Sequence, residues 1–230
     1  MTEKSTIPLV GDPDIFTEYS KKLGINMDAV DFTFIFSLDE EMFSFYPQPI
    51  YALLFIYPQG DKDSIFHTRC MEQPENLLDP IPWFTHQKMK NQCGTIALIH
   101  SVMNCLDNIP LAEGSWFANF KEVSKSLSPE ERGDLLANDD SLLSFHENFA
   151  SKSDISIPDD GIVDTHFIAF VNVGGKLWEL DGRKPFPICH GECTNLLAKT
   201  ATVIKEQFFA HIPENDLVRV SILGLSKKQL

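Results

Sequence analysis

Residues 91–106 read NQCGTIALIHSVMNCL, and this stretch decides how the rest of the chain is interpreted. Its apolar residues recur at the spacing of one helix face, which predicts a helix anchored in the core by Ile96, Ile99, Met103 and Leu106. Cys93 falls where this helix would begin. The open N–H groups and positive dipole end of a helix start lower the pKa of a thiol. The pattern therefore indicates a nucleophile, with a buried, inert cysteine as the alternative.

Three other residues supply the remaining groups that a cysteine hydrolase needs. Gln87 precedes the cysteine by six positions, His166 opens a β-rich run, and Asp181 closes the next run. Thiolate attack requires an imidazole, a carboxylate to orient that imidazole, and a donor for the oxyanion. Taken singly, His166 could be a strand-end histidine and Asp181 a turn former. Their joint occurrence in this order favours a catalytic site.

The His–Asp spacing fits a β-hairpin. Gly174-Gly175 suits a two-residue turn with positive φ at both positions. Pairing the strands about this turn places Asp181 opposite Ile168, two residues from His166 and on the same sheet face. The two backbones would then lie about 7 to 8 Å apart, within side-chain reach. A slip of one residue would put the two side chains on opposite faces.

Three stretches of sequence carry a resemblance to a known family. They are residues 87–100 around NQCGT, the string HFIAF at 166–170, and the string LDGRKP at 180–185. Together they closely resemble the ubiquitin carboxyl-terminal hydrolases, especially the short L-type isozymes, which belong to the papain-like cysteine protease clan. The similarity covers essentially the whole chain, and papain-like relatives share the chemistry without this spacing.

The resemblance implies a role for each candidate residue. Cys93 would be the nucleophile and His166 the general base and acid. Asp181 would orient the imidazole, and Gln87 would donate to the oxyanion. The resemblance also implies substrate contacts to ubiquitin from a second set of residues: Pro8, Leu9, Thr165 and Phe208.

The implied activity is that of a thiol-dependent deubiquitinating hydrolase. It would cleave small adducts or short peptides from the carboxyl-terminal glycine of ubiquitin through an acyl-thioester, with no cofactor and no metal. Ubiquitin is the expected partner, a ubiquitin-like modifier is a further candidate, and we expect a monomer. The alternative is a ubiquitin-binding protein of the same fold with little turnover. The presence of all four catalytic residue types favours the enzyme.

Composition agrees with this interpretation. A chain of 230 residues, 43% of them hydrophobic, can bury one substantial core, so residues 1–230 are expected to form a single domain. The net charge of -14 disfavours nucleic acid and anionic membranes as partners and favours a basic one. The longest apolar run, residues 50–57, is far shorter than the roughly 20 residues that span a bilayer.

Cysteine usage bears on the compartment. The chain has an odd, scattered set of five cysteines, at positions 70, 93, 105, 189 and 193. Such a set argues against a disulfide framework and for a reducing compartment. We expect a soluble protein of the cytoplasm, with the nucleus as a further location.

The predicted fold class is α+β. Strands are predicted at 31–36, 50–56, 167–173, 176–180 and 217–223. Helices are predicted at 13–23, 38–45, 93–106, 114–126, 129–137, 139–149 and 194–209. Ser128, Pro129 and Glu131 form a capping-box pattern at the fifth of these helices. The resemblance implies a papain-like antiparallel sheet flanked by helices, with a knotted backbone.

Two further segments need interpretation. Residues 147–163 mix turn formers and charges without apolar periodicity, which predicts a loop. In the family the corresponding segment crosses over the cleft, so we expect small leaving groups. Residues 189–193, Cys-His-Gly-Glu-Cys, could suggest zinc, but no second ligand pair at zinc-finger spacing is present. No role is assigned to the other histidines outside that cluster: His67, His86, His100, His146 and His211.

Overall fold

The computed structural model describes residues 5–59, 79–152 and 164–229. Within them lie six strands: β1 (Val30–Phe34), β2 (Ile50–Pro58), β3 (Thr165–Val173), β4 (Lys176–Leu180), β5 (Ile188–Glu192) and β6 (Ser221–Lys227). All pair antiparallel in one sheet, in the order β1-β6-β2-β3-β4-β5. The predicted α+β class with an antiparallel sheet is confirmed, whereas the knotted backbone stays a prediction.

Six α-helices surround this sheet within the described residues: α1 (Pro13–Leu23), α2 (Cys93–Met103), α3 (Trp116–Ser124), α4 (Pro129–Ala137), α5 (Asp140–Ala150) and α6 (Leu196–Val203). Shorter helical turns occupy Glu40–Phe45, Ile204–Phe208 and Glu214–Arg219. Across the described ranges, no helix combines the length and apolar character that crossing a membrane requires.

Two helices have the bounds that their sequence signals predict. Asp12 caps α1 by accepting from two backbone N–H groups, and Gly24 ends the helix in the left-handed region at φ 99°. At α4, the Ser128 and Glu131 side chains each accept from the other's backbone N–H, which confirms the capping box. Local side-chain chemistry alone therefore fixes where these helices begin.

Helices cover both faces of the sheet. Alternate residues of β2 and β3 point to opposite sides, so Leu54 and Ala169 join one core, while Phe55 and Phe170 join the other. Helix α2 packs on the first face, and each of its residues from Cys93 to Met103 is buried. The sequence predicted one buried apolar face for this helix, but the structure encloses the helix on all sides.

Other predicted bounds were wrong where tertiary context decides the structure. Strand β6 begins at Ser221 because Glu214–Arg219 forms a 3-10 helix. Strand β5 was not predicted, because its sequence ICHGE lacks strand periodicity and pairs only with β4. Residues 147–150 of the predicted loop belong to α5, and its residues 153–163 lie outside the described ranges.

The β3–β4 hairpin has the predicted register. Val173 pairs Lys176 and Ala169 pairs Leu180, about a turn in which Gly174 has φ 62° and Gly175 has φ 75°. Both glycines occupy the left-handed region, as a two-residue turn of this kind requires. This register carries His166 and Asp181 to the same side of the sheet.

The two turn glycines should tolerate alanine differently. Both replacements add the left-handed penalty of about 1 to 2 kcal/mol. At Gly174 the new Cβ would also lie 2.3 Å from Pro80 Cγ, whereas at Gly175 no described atom lies within 4 Å. Urea unfolding should therefore show a larger loss of stability for Gly174→Ala than for Gly175→Ala. Equal losses would contradict the close packing of this turn on Pro80.

Candidate active site

A buried hydrogen bond joins the two strands of the hairpin at its open end. His166 Nε2 lies 2.8 Å from Asp181 Oδ1, and the two side chains are 1% and 0% exposed. The backbone N–H of Arg183 donates to the same oxygen at 3.0 Å. Burial alone would raise the pKa of Asp181, but the charge and hydrogen bond of His166 lower it below its ordinary value. Asp181 is therefore a carboxylate that orients the ring.

His166 presents its other nitrogen, Nδ1, for chemistry. Burial would lower the pKa of the imidazole, but the Asp181 carboxylate raises it to about 8, with Cys93 adding to the effect. Nδ1 is buried and has no hydrogen-bond partner of normal geometry among the described residues. The Cys93 thiol lies next to the ring, and the hydrogen bond and charge of His166 lower the pKa of this thiol. His166 can thus hold a proton at neutral pH beside the thiol.

Cys93 is the first residue of α2 and is 5% exposed. Burial would raise the pKa of this thiol, but the hydrogen bond and charge of His166, with the Arg183 charge, bring it below its ordinary value. Gln92 at the N-cap makes no side-chain capping bond, so its side chain does not occupy the first N–H groups of the helix. The same helix end can therefore favour a thiolate and later an oxyanion.

Gln87 lies beside the loop that carries Asp181. Its backbone N–H donates to Gly182 O at 2.7 Å, and its side-chain amide donates to Met89 O at 2.8 Å. An amide NH₂ has two hydrogens, so one remains for an oxyanion. The structure thus brings Cys93, His166, Asp181 and Gln87 into one site, and this arrangement suits acyl transfer to a thiol.

Gly182 is a site residue to which the sequence analysis gave no role. A Cβ at this position would lie 2.7 Å from Ile96 Cγ2 and 3.1 Å from Gln87 Cβ. Only glycine lets the Asp181 loop approach both α2 and the Gln87 segment this closely. The sequence signal was a glycine directly after the candidate carboxylate.

The residues expected to contact the substrate are buried or half-buried. Leu9 is 3% exposed and packs against Gly94, and the neighbouring Pro8 is also buried. Phe208 is fully buried, with its ring 4.9 Å from that of Phe55. Core packing surrounds these three side chains, and their contact with ubiquitin stays a prediction. Thr165 is half-buried at the start of β3, and its substrate contact stays a prediction.

The cysteine–histidine cluster at 189–193 takes part in strand β5. His190 Nε2 lies 2.9 Å from Glu179 Oε2, and Lys184 Nζ lies 2.7 Å from the other oxygen of that carboxylate. Across residues 5–59, 79–152 and 164–229, no group of three His, Cys, Asp or Glu side chains is placed to hold a metal. The imidazole of this cluster therefore serves a buried hydrogen-bond network.

Known proteins resemble the chain over nearly its full length. A family model described as ubiquitin carboxyl-terminal hydrolase, family 1, matches residues 6–209. A ubiquitin carboxyl-terminal hydrolase of Aplysia californica is 35% identical over 217 residues, 93% of this chain and 99% of the relative. Isozyme L1 of Rattus norvegicus is 32% identical over 223 residues, 96% and 97% of the two chains.

A solved structure shares the fold. The Trichinella spiralis UCH37 catalytic domain, crystallised with ubiquitin vinyl methyl ester, superposes with a TM-score of 0.76 over 98% of this chain and 97% of that domain. Sequence identity is 22%, so this likeness concerns the fold alone.

The reactivity of Cys93 should depend on His166. In the wild type, iodoacetamide should modify Cys93 at a lower pH than an ordinary thiol, because the imidazolium lowers its pKa. In His166→Ala the hydrogen bond and charge of the imidazole are lost while burial still raises the pKa of the thiol, so modification should begin at higher pH than in the wild type. Peptide mapping across a pH series measures this, with Cys105, whose pKa burial raises to about 12, as the internal control. Identical pH dependence in both proteins would contradict the pairing.

Proposed function

The chain belongs to the ubiquitin carboxyl-terminal hydrolase family 1, a family of thiol-dependent deubiquitinating enzymes, and we propose that it releases small adducts or short peptides from the carboxyl-terminal glycine of ubiquitin. One observation carries the mechanism. The buried bond of 2.8 Å between His166 Nε2 and Asp181 Oδ1 leaves the protonated ring beside the Cys93 thiol. This is the arrangement that a papain-like thiolate requires.

In the first half of the reaction, the Cys93 thiolate attacks the carbonyl carbon of the terminal glycine. The carbonyl oxygen becomes an oxyanion, which the backbone N–H at the start of α2 and the free amide hydrogen of Gln87 would stabilise. His166 gives its proton to the leaving amine as the C–N bond breaks. The products are the free amine and an acyl-thioester on Cys93.

In the second half, water replaces the amine. His166, now neutral, accepts a proton from the water as its oxygen attacks the thioester carbon. The same donors stabilise the second oxyanion, and the C–S bond breaks to release the ubiquitin carboxylate and the thiolate. Asp181 keeps the ring in one orientation through both halves, and no cofactor takes part.

The net charge supports the proposed substrate class. The net charge of -14 favours a basic partner, such as the basic carboxyl-terminal tail of ubiquitin. The expected limit on adduct size falls on residues 153–163, which lie outside the described residues, and it stays a prediction from the family resemblance. We further propose a monomer of the cytoplasm and nucleus that does not bind nucleic acid or membranes, with a ubiquitin-like modifier as a second substrate.

Loss of the nucleophile should separate catalysis from binding. Cys93→Ala should abolish hydrolysis of a ubiquitin carboxyl-terminal fluorogenic amide and leave ubiquitin affinity close to that of the wild type, because only the attacking atom is removed. Calorimetry measures the binding, and Cys105→Ala is the matched control, which should keep its turnover. An electrophilic ubiquitin probe should label Cys93 in the wild type. Labelling at Cys105 or Cys189 would refute the assignment, and binding without turnover in the wild type would favour a ubiquitin-shielding protein.

The oxyanion donor and the orienting carboxylate should both act on turnover. Removing one oxyanion donor typically lowers kcat about 100- to 1000-fold, so we expect Gln87→Ala to lose that much with little change in KM. Asp181→Asn should lower kcat by up to about 10,000-fold, because the amide no longer holds the required form of His166. Steady-state kinetics on the fluorogenic amide measures both. Turnover at the wild-type rate in either variant would exclude the corresponding role.

A further inference from the structure

The amino-terminal segment, residues 5–9, lies along the loop that leads to Cys93. The backbone N–H of Thr6 donates to Lys90 O at 3.1 Å, and Asn91 Nδ2 donates to Thr6 O at 3.0 Å. Ser5 forms a parallel bridge with Lys90. The segment is thus hydrogen-bonded to residues two and three positions before the nucleophile.

The same segment contacts residues that flank Cys93 on both sides. Asn91 has φ 63°, in the left-handed region that asparagine adopts more readily than most non-glycine residues, and its side chain donates to Thr6 O. After the nucleophile, Leu9 packs so closely on Gly94 that a Cβ there would lie 3.1 Å from Leu9 Cβ. The turn before Cys93 and the helical residue directly after it therefore both contact this segment.

A series of hydrogen bonds, buried except at the partly buried Ile7 carbonyl, joins this segment to helix α2. His146 Nε2 on α5 lies 2.6 Å from Ile7 O, and its Nδ1 lies 2.7 Å from Thr95 Oγ1 on α2. The Tyr19 hydroxyl on α1 lies 3.0 Å from the same Thr95 oxygen. The side chains of Tyr19, Thr95 and His146 belong to residues with no solvent exposure.

The chemistry of these groups determines which atom donates and which accepts in each of these hydrogen bonds. Ile7 O can only accept, so His146 Nε2 carries a proton and donates to it. Burial lowers the pKa of His146 and keeps the ring neutral, so Nδ1 accepts from the Thr95 hydroxyl. The Thr95 oxygen then accepts from Tyr19. Each donor has an acceptor, and removal of the imidazole would leave buried polar groups without partners.

We propose that His146 is a positioning residue, which joins the amino-terminal segment to helix α2 and thereby holds Cys93 in its reactive position. Thr95 lies two residues after Cys93, in the first turn of α2, and Ile7 lies next to Thr6, which holds Asn91 before the nucleophile. His146 thus links the amino-terminal segment, which contacts the residues before Cys93, to the first turn of the helix that follows Cys93. Its effect on ubiquitin hydrolysis rests on the proposed function, whereas its effect on thiol reactivity does not.

Three substitutions of His146 can separate the two bonds. Leucine removes both, asparagine can reach only Thr95, and glutamine is long enough to reach Ile7 O. We expect His146→Leu and His146→Asn to lower both kcat on a ubiquitin carboxyl-terminal fluorogenic amide and the iodoacetamide rate at Cys93 about tenfold or more, with KM changed less than about threefold. His146→Gln should recover most of both rates, because it restores the bond to the segment.

Leu142→Ala is the matched control. Leu142 is a fully buried apolar residue of the same helix and forms no part of the hydrogen-bond chain, so its truncation should lower the unfolding midpoint without changing either rate. All rates are measured below the unfolding midpoint of each variant. Equal loss of both rates in Leu142→Ala and the three His146 variants would overturn the proposal.

Two other outcomes are also decisive. A rise in KM with an unchanged iodoacetamide rate would mean that the segment only contacts ubiquitin, and this would overturn the proposal. If the wild type fails to hydrolyse the ubiquitin amide, the proposed function fails, while the iodoacetamide rates still test the position of Cys93. Slow alkylation in the leucine variant with recovery in the glutamine variant would then still support the role of His146.

Discussion

Asp181 carries a negative charge inside the protein, where a carboxylate without partners is strongly unfavourable. The imidazolium of His166 at 2.8 Å and the backbone N–H of Arg183 at 3.0 Å offset that cost. The same pairing keeps a proton on His166 near neutral pH, and the resulting positive charge favours the thiolate of Cys93. The hairpin register and the close approach at Gly182 both serve to hold this one interaction in place.

The features that could be predicted from the sequence are those set by local chemistry. The Gly174-Gly175 turn allows a single register, so counting along two strands was enough to place Asp181 beside His166. The capping box at Ser128 likewise depends on residues three positions apart. For the site itself, the spacing of Gln87, Cys93, His166 and Asp181 identified the residues that the fold brings together.

The features that could not be predicted depend on contacts between distant segments. The Phe208 ring lies 4.9 Å from Phe55 in the core, which residue type and family pattern do not reveal. Leu9 packs against Gly94, which lies 85 positions away in the sequence. His146 received no role because its partners, Ile7 and Thr95, lie 139 and 51 positions away in the sequence. Strand β5 at 188–192 depends on pairing with β4 rather than on its own residues.

The most direct test of the account is an NMR titration of the His166 ring nitrogens in the wild type and in Asp181→Asn. If the buried carboxylate holds the proton on the ring, the wild-type pKa should be about 8. In the variant, the charge of Asp181 is lost and only Cys93 still opposes the effect of burial, so the pKa should fall well below the wild-type value. A pKa near 6.5 in both proteins would show that Asp181 does not set the charge of His166, and would contradict the account.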